Sequence, residues 1–319
     1  DLPSPMPGTY PAPHRLVILG MHGGSGASSF SELGSWDLGE EPKEILIDGA
    51  YAYVAVPEGM RVIDVSAPAS PVQVGEVHSW NDATALAGMV GRHVALLQSD
   101  SSPFGPVKSV QMVDVSNPRE PKVVSEAEIW DGADAGDVVD HRLFVAGGDG
   151  LAIFEVSDPV NPVQLSGSAQ TRSWSSDVAL DGQHAYVLDL FQGLKVFDLS
   201  TPDKPQLAAK WLLPPIEQGR YFEARLDIMD HYAVIGAGQR LLVVDISVPE
   251  SPKLVGSPLQ IAAHFMNSVM GLEIAGEVAY VSTSKEGVVI VDCSDPRAPF
   301  VAGTIPLYTG DEVRSIVVE

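Results

Sequence analysis

An all-β fold of repeated four-stranded sheets set around a central axis is what this sequence predicts. Three observations predict it: a recurring cassette of an acid, a serine and two prolines, short β-branched runs between turns, and a second periodicity of aromatic residues. The cassette reads RVIDVSAPASP at Asp64, QMVDVSNPREP at Asp114, AIFEVSDPVNP at Glu155, KVFDLSTPDKP at Asp198, LVVDISVPESP at Asp245 and VIVDCSDPRAP at Asp292. Its acidic residues stand 50, 41, 43, 47 and 47 positions apart. A period of about 40 to 50 residues rich in short strands is the length of a propeller blade. The composition agrees, because 45% apolar and 19% charged residues with 30 Gly and 25 Pro suit many strands and turns rather than helices or disorder.

Residues 267–305 show how each unit parses. SVMGLEIAG gives a first strand ending in a glycine turn, VAYVSTS a second, GVVIVDCS a third and PFVAGTI a fourth. The turn between first and second strands recurs as GAYAY, GRHVAL, DHRLF, GQHAY, DHYAV and GEVAY, with Gly or Asp where a tight hairpin needs it. The proline pair cannot donate ladder hydrogen bonds, so it falls between the third and fourth strands. There the acidic residue and its serine, two positions on, accept from free turn amides. Asp64, Asp114, Glu155, Asp198, Asp245 and Asp292 are therefore expected to be turn-formers.

The cassette, with VVDIS, VIVDCS and RVIDVS as its clearest copies, resembles the LVIVD repeat over residues ~44–305. That resemblance implies a β-propeller of the kind found in exported and surface-attached bacterial and archaeal proteins. It supplies no catalytic residues, and Glu155 departs from its usual aspartate.

A second series sets the blade number. Trp36, Trp80, Trp130, Trp174, Tyr221, Phe265 and Tyr308 each follow an expected fourth strand, which makes seven against six cassettes. RLVILG, ending at Gly20, reads as a third strand without a cassette, and EVRSIVVE, residues 312–319, reads as a first strand with nothing after it. The expectation is a seven-bladed propeller closed by pairing of N- and C-terminal strands, with no second strand identified for the composite blade. The alternative is six blades plus an N-terminal hairpin. Residues 1–13 (DLPSPMPGTYPAP), with five prolines, are expected to be an extended tether left after removal of an export signal, and residues 14–319 a single domain.

The formal charge of −23 disfavours nucleic acid and anionic membrane surfaces and favours cations or basic partners, although acidity also serves solubility. No run of about 20 apolar residues spans a membrane, leaving a membrane tether upstream of Asp1 as the way to attach the chain. Cys293 is the one cysteine, so no intrachain disulfide forms, and its aliphatic surroundings make it a packed thiol.

Loops from each fourth strand to the next first strand open on one face of a propeller. Here they hold the aromatic series and the acids Asp37, Glu40, Asp82, Asp131, Asp134, Asp177, Glu223, Asp311 and Glu312. The binding residues expected are Asp82, Asp131, Asp134, Asp177, Glu223 and Asp311 with Trp80, Trp130, Trp174 and Tyr221. One aromatic per blade also serves as a packing wedge. WDGADAGD, residues 130–137, is the densest candidate for calcium, without the EF-hand pattern.

No cofactor is otherwise expected. His93, His141, His184 and His231 fall at hairpins, His78 and His264 in funnel loops, and zinc spacing is absent. MHGGSGASS, residues 21–29, lacks the phosphate-loop pattern, and no GxSxG elbow occurs.

The reading is a non-catalytic exported, periplasmic or cell-surface module. It would bind or scaffold a protein, peptide or polysaccharide through its acidic loop face, including within a cell-envelope complex. The alternative is a metal-assisted hydrolase or lactonase acting in the funnel.

Overall fold

The computed structural model describes residues 14–22, 29–79, 81–99, 108–129, 133–147, 150–166, 175–214, 223–262, 268–306 and 313–318. Two strands, β1 (Arg15–His22) and β2 (Ser29–Asp37), form an antiparallel hairpin sheet, and six four-stranded antiparallel sheets follow in chain order. Blade one is β3 (Ile45–Asp48), β4 (Tyr51–Val56), β5 (Gly59–Asp64) and β6 (Val72–His78). Blade two is β7 (Asp82–Val90), β8 (His93–Ser99), β9 (Lys108–Asp114) and β10 (Lys122–Ile129). Blade three is β11 (Ala135–Val139), β12 (Arg142–Gly147), β13 (Gly150–Glu155) and β14 (Val163–Ser166). Blade four is β15 (Ser175–Asp181), β16 (His184–Asp189), β17 (Gly193–Asp198) and β18 (Gln206–Trp211). Blade five is β19 (Ala224–Met229), β20 (Tyr232–Ala237), β21 (Arg240–Asp245) and β22 (Lys253–Gln260). Blade six is β23 (Val269–Ala275), β24 (Val278–Thr283), β25 (Gly287–Asp292) and β26 (Phe300–Ile305).

Each first strand is innermost, and β3, β7, β11, β15, β19 and β23 adjoin one another in that order. The first hairpin of every blade turns where a left-handed residue is required, and the sequence supplies it. Gly49, Gly91, Gly182 and Gly276 have φ between 56° and 61°, and Asp140 and Asp230 hold φ of 50° and 52°. Second strands are buried along their length, with every central position buried in all six.

The cassette behaves as a turn in each copy. Ser66, Ser116, Ser157, Ser200, Ser247 and Ser294 donate their amides to the acid two residues earlier, at 2.7–3.3 Å. The residue after each acid donates to the first hairpin of the same blade, as Val65 does to the Ala50 carbonyl and Ile246 to that of His231.

The cassette also joins blades, a role its sequence does not disclose. A Cβ on Gly75 of β6 would stand 2.2 Å from the Pro118 carbonyl of the next cassette, and one on Gly256 of β22 would stand 2.2 Å from the Arg297 carbonyl. Ser125 of β10 donates to the Pro159 carbonyl at 2.6 Å. Fourth strands therefore rest on the following blade's proline turn.

Closure differs from the expectation. Six complete blades and a two-stranded sheet are formed, and among the described residues β1 pairs with β2 alone while residues 313–318 join no ladder. First and third strands of a blade lie two strand spacings apart, about 10 Å, so they cannot bond directly without a second strand between them. The six-blade alternative with an N-terminal hairpin is the closer description. The segment 1–13 lies outside the described residues.

Candidate functional site: an acid-lined channel and its rim

First strands should alternate cleanly, yet five of the six place a carboxylate inside the ring. Glu44 stands immediately before β3, Asp137 is on β11, Asp177 on β15, Asp227 on β19 and Glu273 on β23. Arg225 on β19 is the one base on the six first strands. Their fields overlap across the ring: Glu44 feels Asp177, Asp137 and Arg225, while Asp137, Asp177 and Glu273 each feel Asp227.

These acids clasp neighbouring blades. The Leu86 amide of blade two donates to Glu44 Oε2, the Leu226 amide of blade five to Asp177 Oδ2, and the Ile274 amide of blade six to Asp227 Oδ2, each at 2.8 Å. The second oxygens of Asp177 and Asp227 accept from the next residue of their own strand, Val178 and Ile228. Asp137 likewise accepts from Val138 at 2.7 Å.

Burial sets their protonation. Loss of water raises Glu44 and Glu273 to about 7, and Asp137 and Asp177 to about 6. Asp227 is raised for the same reason. The cassette aspartates go the opposite way. Asp64, Asp114, Asp198, Asp245 and Asp292 are held below the ordinary value by hydrogen bonds from the hydroxyl and amide of their serines.

Of the residues expected from the sequence, Asp82 opens β7 and is exposed. Asp134 is exposed one position before β11, and Glu223 is half-buried one position before β19. All three stand at the starts of first strands, the end of the blades opposite the first hairpins. Asp177 lies deeper, within the channel. Asp131, Asp311, Trp80, Trp130, Trp174 and Tyr221 lie outside the described residues. Within WDGADAGD the structure separates an exposed Asp134 from a channel-lining Asp137, and among the described residues no three His, Cys, Asp or Glu side chains gather as metal ligands.

Trp36, the described member of the aromatic series, sits opposite Leu16 and packs with it on blade one, which is the wedge role. His93, His141, His184 and His231 stand at the first hairpins as expected. His264 lies outside the described residues, and exposed His78 pairs with Glu76 at 3.1 Å. Cys293 is buried, and burial pushes its thiol up to about 11.

Sequence reading named Asp177 and, within WDGADAGD, Asp137, and missed Glu44, Asp227, Glu273 and Arg225. The channel signal was a charge three or five residues before the left-handed turn residue in EILID, GDVV, ARLDIM and GLEIA.

This arrangement defines a β-propeller with an acidic axial channel. Its repeat is the LVIVD repeat, matched at residues 41–79, 174–212, 224–259 and 268–305, which are blades one, four, five and six. The chain carries four LVIVD repeats and folds as a β-propeller. Solved structures share the fold: a Lactobacillus plantarum protein with TM-score 0.67 and 11% identity, over 92% of this chain and 97% of that one. Sqt1 of Saccharomyces cerevisiae gives 0.63 and 12% over 88% and 79%, and Sqt1 of Chaetomium thermophilum 0.60 and 16% over 83% and 72%. At such identity the likeness is one of fold. A stretch of 115 residues, 33% of this chain, is 26% identical to S-adenosylmethionine synthase of Streptococcus equi subsp. zooepidemicus. The chain covers 29% of that relative's length, and the match assigns it none of that chemistry.

Proposed function

We propose that this propeller is a non-catalytic binding module, exported or at the cell surface, that takes a basic protein or peptide segment on the face where its first strands begin. The observation that carries the proposal is the distribution of charge. Carboxylates stand at the starts of first strands (Asp82, Asp134, Glu223) and continue into the channel (Glu44, Asp137, Asp177, Asp227, Glu273), with Arg225 the one base on those strands. Convergent like charges over a low-dielectric wall focus potential and draw in the opposite sign. Asp131 and Asp311, with Trp80, Trp130, Trp174 and Tyr221, belong to the same proposed surface. The location outside the cell rests on the resemblance of the repeat.

Titration with a ten-residue lysine peptide tests the reading. One variant carries Asp82→Asn, Asp134→Asn and Glu223→Gln on the rim, and a control carries Asp48→Asn, Asp230→Asn and Glu277→Gln on the opposite, exposed hairpins. The rim variant should lose about tenfold in affinity and the control less than twofold, with the wild-type affinity falling as salt shortens the field to about 8 Å. Equal losses in the two variants would overturn the assignment of the face.

A further inference from the structure

Second strands run from the first hairpin to the end where first strands begin, so the turn into the third strand opens on the acidic face. Among the described turns of this kind, blade one has Pro57-Glu58, blade five Gly238-Gln239 and blade six Ser284-Lys285-Glu286, whereas blade four has Leu190-Phe191-Gln192. Phe191 is 51% exposed. Leu212, just past the end of β18, is 73% exposed and lies beside that turn, since a Cβ on Gly193 would stand 2.9 Å from the Leu212 Cα. The other exposed large apolar residues of the six blades, among the described residues, occupy cassettes, first hairpins or the starts of fourth strands, at the opposite end.

A buried ion pair fixes the shape of this turn. Asp189, fully buried at the end of β16, accepts from the Phe191 and Gln192 amides through Oδ1, each at 2.8 Å, and its Oδ2 holds the Lys195 ammonium. Lys210 Nζ of β18 donates to Gln192 Oε1 at 3.0 Å, and Gly193 closes the turn with a φ of 82° against the Trp211 carbonyl. The blade plan itself needs no such pair, because blades five and six place buried Leu242 and Val289 at the position of Lys195, three before the cassette acid. Apolar side chains of similar volume serve stability as well as a buried pair does. What the pair adds in blade four is a held turn with an aromatic ring standing in solvent, and an anchor already held loses little freedom on binding.

Carboxylates stand close to this anchor. Ser175 of β15 is opposite Asp189, and Asp177, two residues further into the channel, is opposite Leu188. Glu223 immediately precedes β19, the first strand that adjoins β15. With about 5 Å between strands and about 3.4 Å per residue along them, Phe191 lies on the order of 10–15 Å from Asp177. About three or four residues of extended chain span that distance.

We propose that Phe191 and Leu212 hold a large apolar side chain of the basic segment bound by the acidic face, so that the partner carries an aromatic or leucine residue about three positions from its first lysine or arginine. A receptor of charge −23 with Asp177 and Glu223 beside the anchor selects a cationic segment, and the exposed ring adds the requirement for one apolar side chain. The inference rests on the binding face proposed above and names the chemistry of its partner.

The test compares two synthetic peptides, WAAKKKKKKK and SAAKKKKKKK, by calorimetric titration of the full chain. Wild type should bind the tryptophan peptide at least about fivefold more tightly. Phe191→Ser with Leu212→Ser should bring the two peptides within about twofold of each other, whereas Phe300→Ser with Val301→Ser, an exposed apolar pair at the opposite end of blade six, should keep the preference. With benzoylphenylalanine in place of the tryptophan, photo-cross-links to wild type should map to residues 190–192 and 212–214. Equal affinity of wild type for the two peptides, a preference that survives in the first variant, or cross-links on other blades would overturn the inference, while salt-dependent binding of both peptides would leave the acidic face standing. Failure of both peptides to bind would overturn the face and this inference with it.

Discussion

Lowering the pH from 7.5 to 5.5 should stabilise this protein, against the usual behaviour of an acidic chain relying on ionised carboxylates. Glu44 and Glu273 titrate at about 7 in the fold, and Asp137 and Asp177 at about 6, each roughly 2 units above the ordinary carboxyl value. An acid whose folded value is raised binds more protons folded than unfolded. Stability is then fully present below the unfolded value and is lost as pH rises through the folded one. Near pH 6 the four groups together hold roughly three protons that the unfolded chain does not. At about 1.4 kcal/mol per proton per pH unit this gives a slope of ~4 kcal/mol. The acids are half-buried, and solvent screening halves the slope to about 2 kcal/mol per unit, so two pH units bring ~4 kcal/mol and raise Tm by roughly 8 °C. Thermal unfolding followed by circular dichroism at pH 4 to 8 reads this directly. Glu44→Gln with Glu273→Gln should raise Tm at pH 7.5 and remove more than half of the dependence, since the carboxamide oxygen introduced in place of the Glu44 carboxylate still accepts from the Leu86 amide. Below pH 4 the sign reverses, because the cassette aspartates, held low by their serines, then take up protons and lose those bonds. A Tm that is flat or rises from pH 5.5 to 7.5, or a double variant with the full dependence, would refute the reasoning.

Substitutions outside the channel test the packing. Gly75→Ala should cost roughly 1–3 kcal/mol by overpacking against the Pro118 carbonyl, whereas Gly303→Ala, whose Cβ meets only Ile290 at 3.8 Å, should be neutral in urea unfolding. Asp245→Ala removes turn hydrogen bonds worth about 1 kcal/mol at most at this exposed site and should leave lysine-peptide affinity unchanged; lost affinity without lost stability would mean that the cassette belongs to a site. Lys195→Met removes the cation from a fully buried ion pair with Asp189 between β16 and β17, leaving the Asp189 carboxylate only its hydrogen-bond donors such as the Phe191 and Gln192 amides, and should cost roughly 3–5 kcal/mol, seen as a lower urea midpoint.

The blade plan was legible because the cassette and hairpin obey local rules: left-handed residues at the first turn and prolines where no ladder bond is made. What neighbouring blades do to each other was not. That Pro118 and Arg297 carbonyls seat glycines of the preceding blade depends on the register between sheets, which no single repeat encodes. Asp227 reads as a stray charge in ARLDIM until Ile274 of the next blade is placed beside it. Closure was less legible for a related reason: EVRSIVVE has the pattern of a first strand, but a ladder needs a neighbour, and among the described residues 313–318 join none.

Zero-length carbodiimide coupling of the ten-residue lysine peptide to the native protein, followed by mapping of the joined carboxylates, tests the proposed binding face most directly. Coupling should concentrate at Asp82, Asp131, Asp134, Glu223 and Asp311 and fade as salt is raised. Coupling that falls instead on Asp48, Asp140, Asp230 and Glu277 at the first hairpins, or evenly on the two faces, would contradict the account.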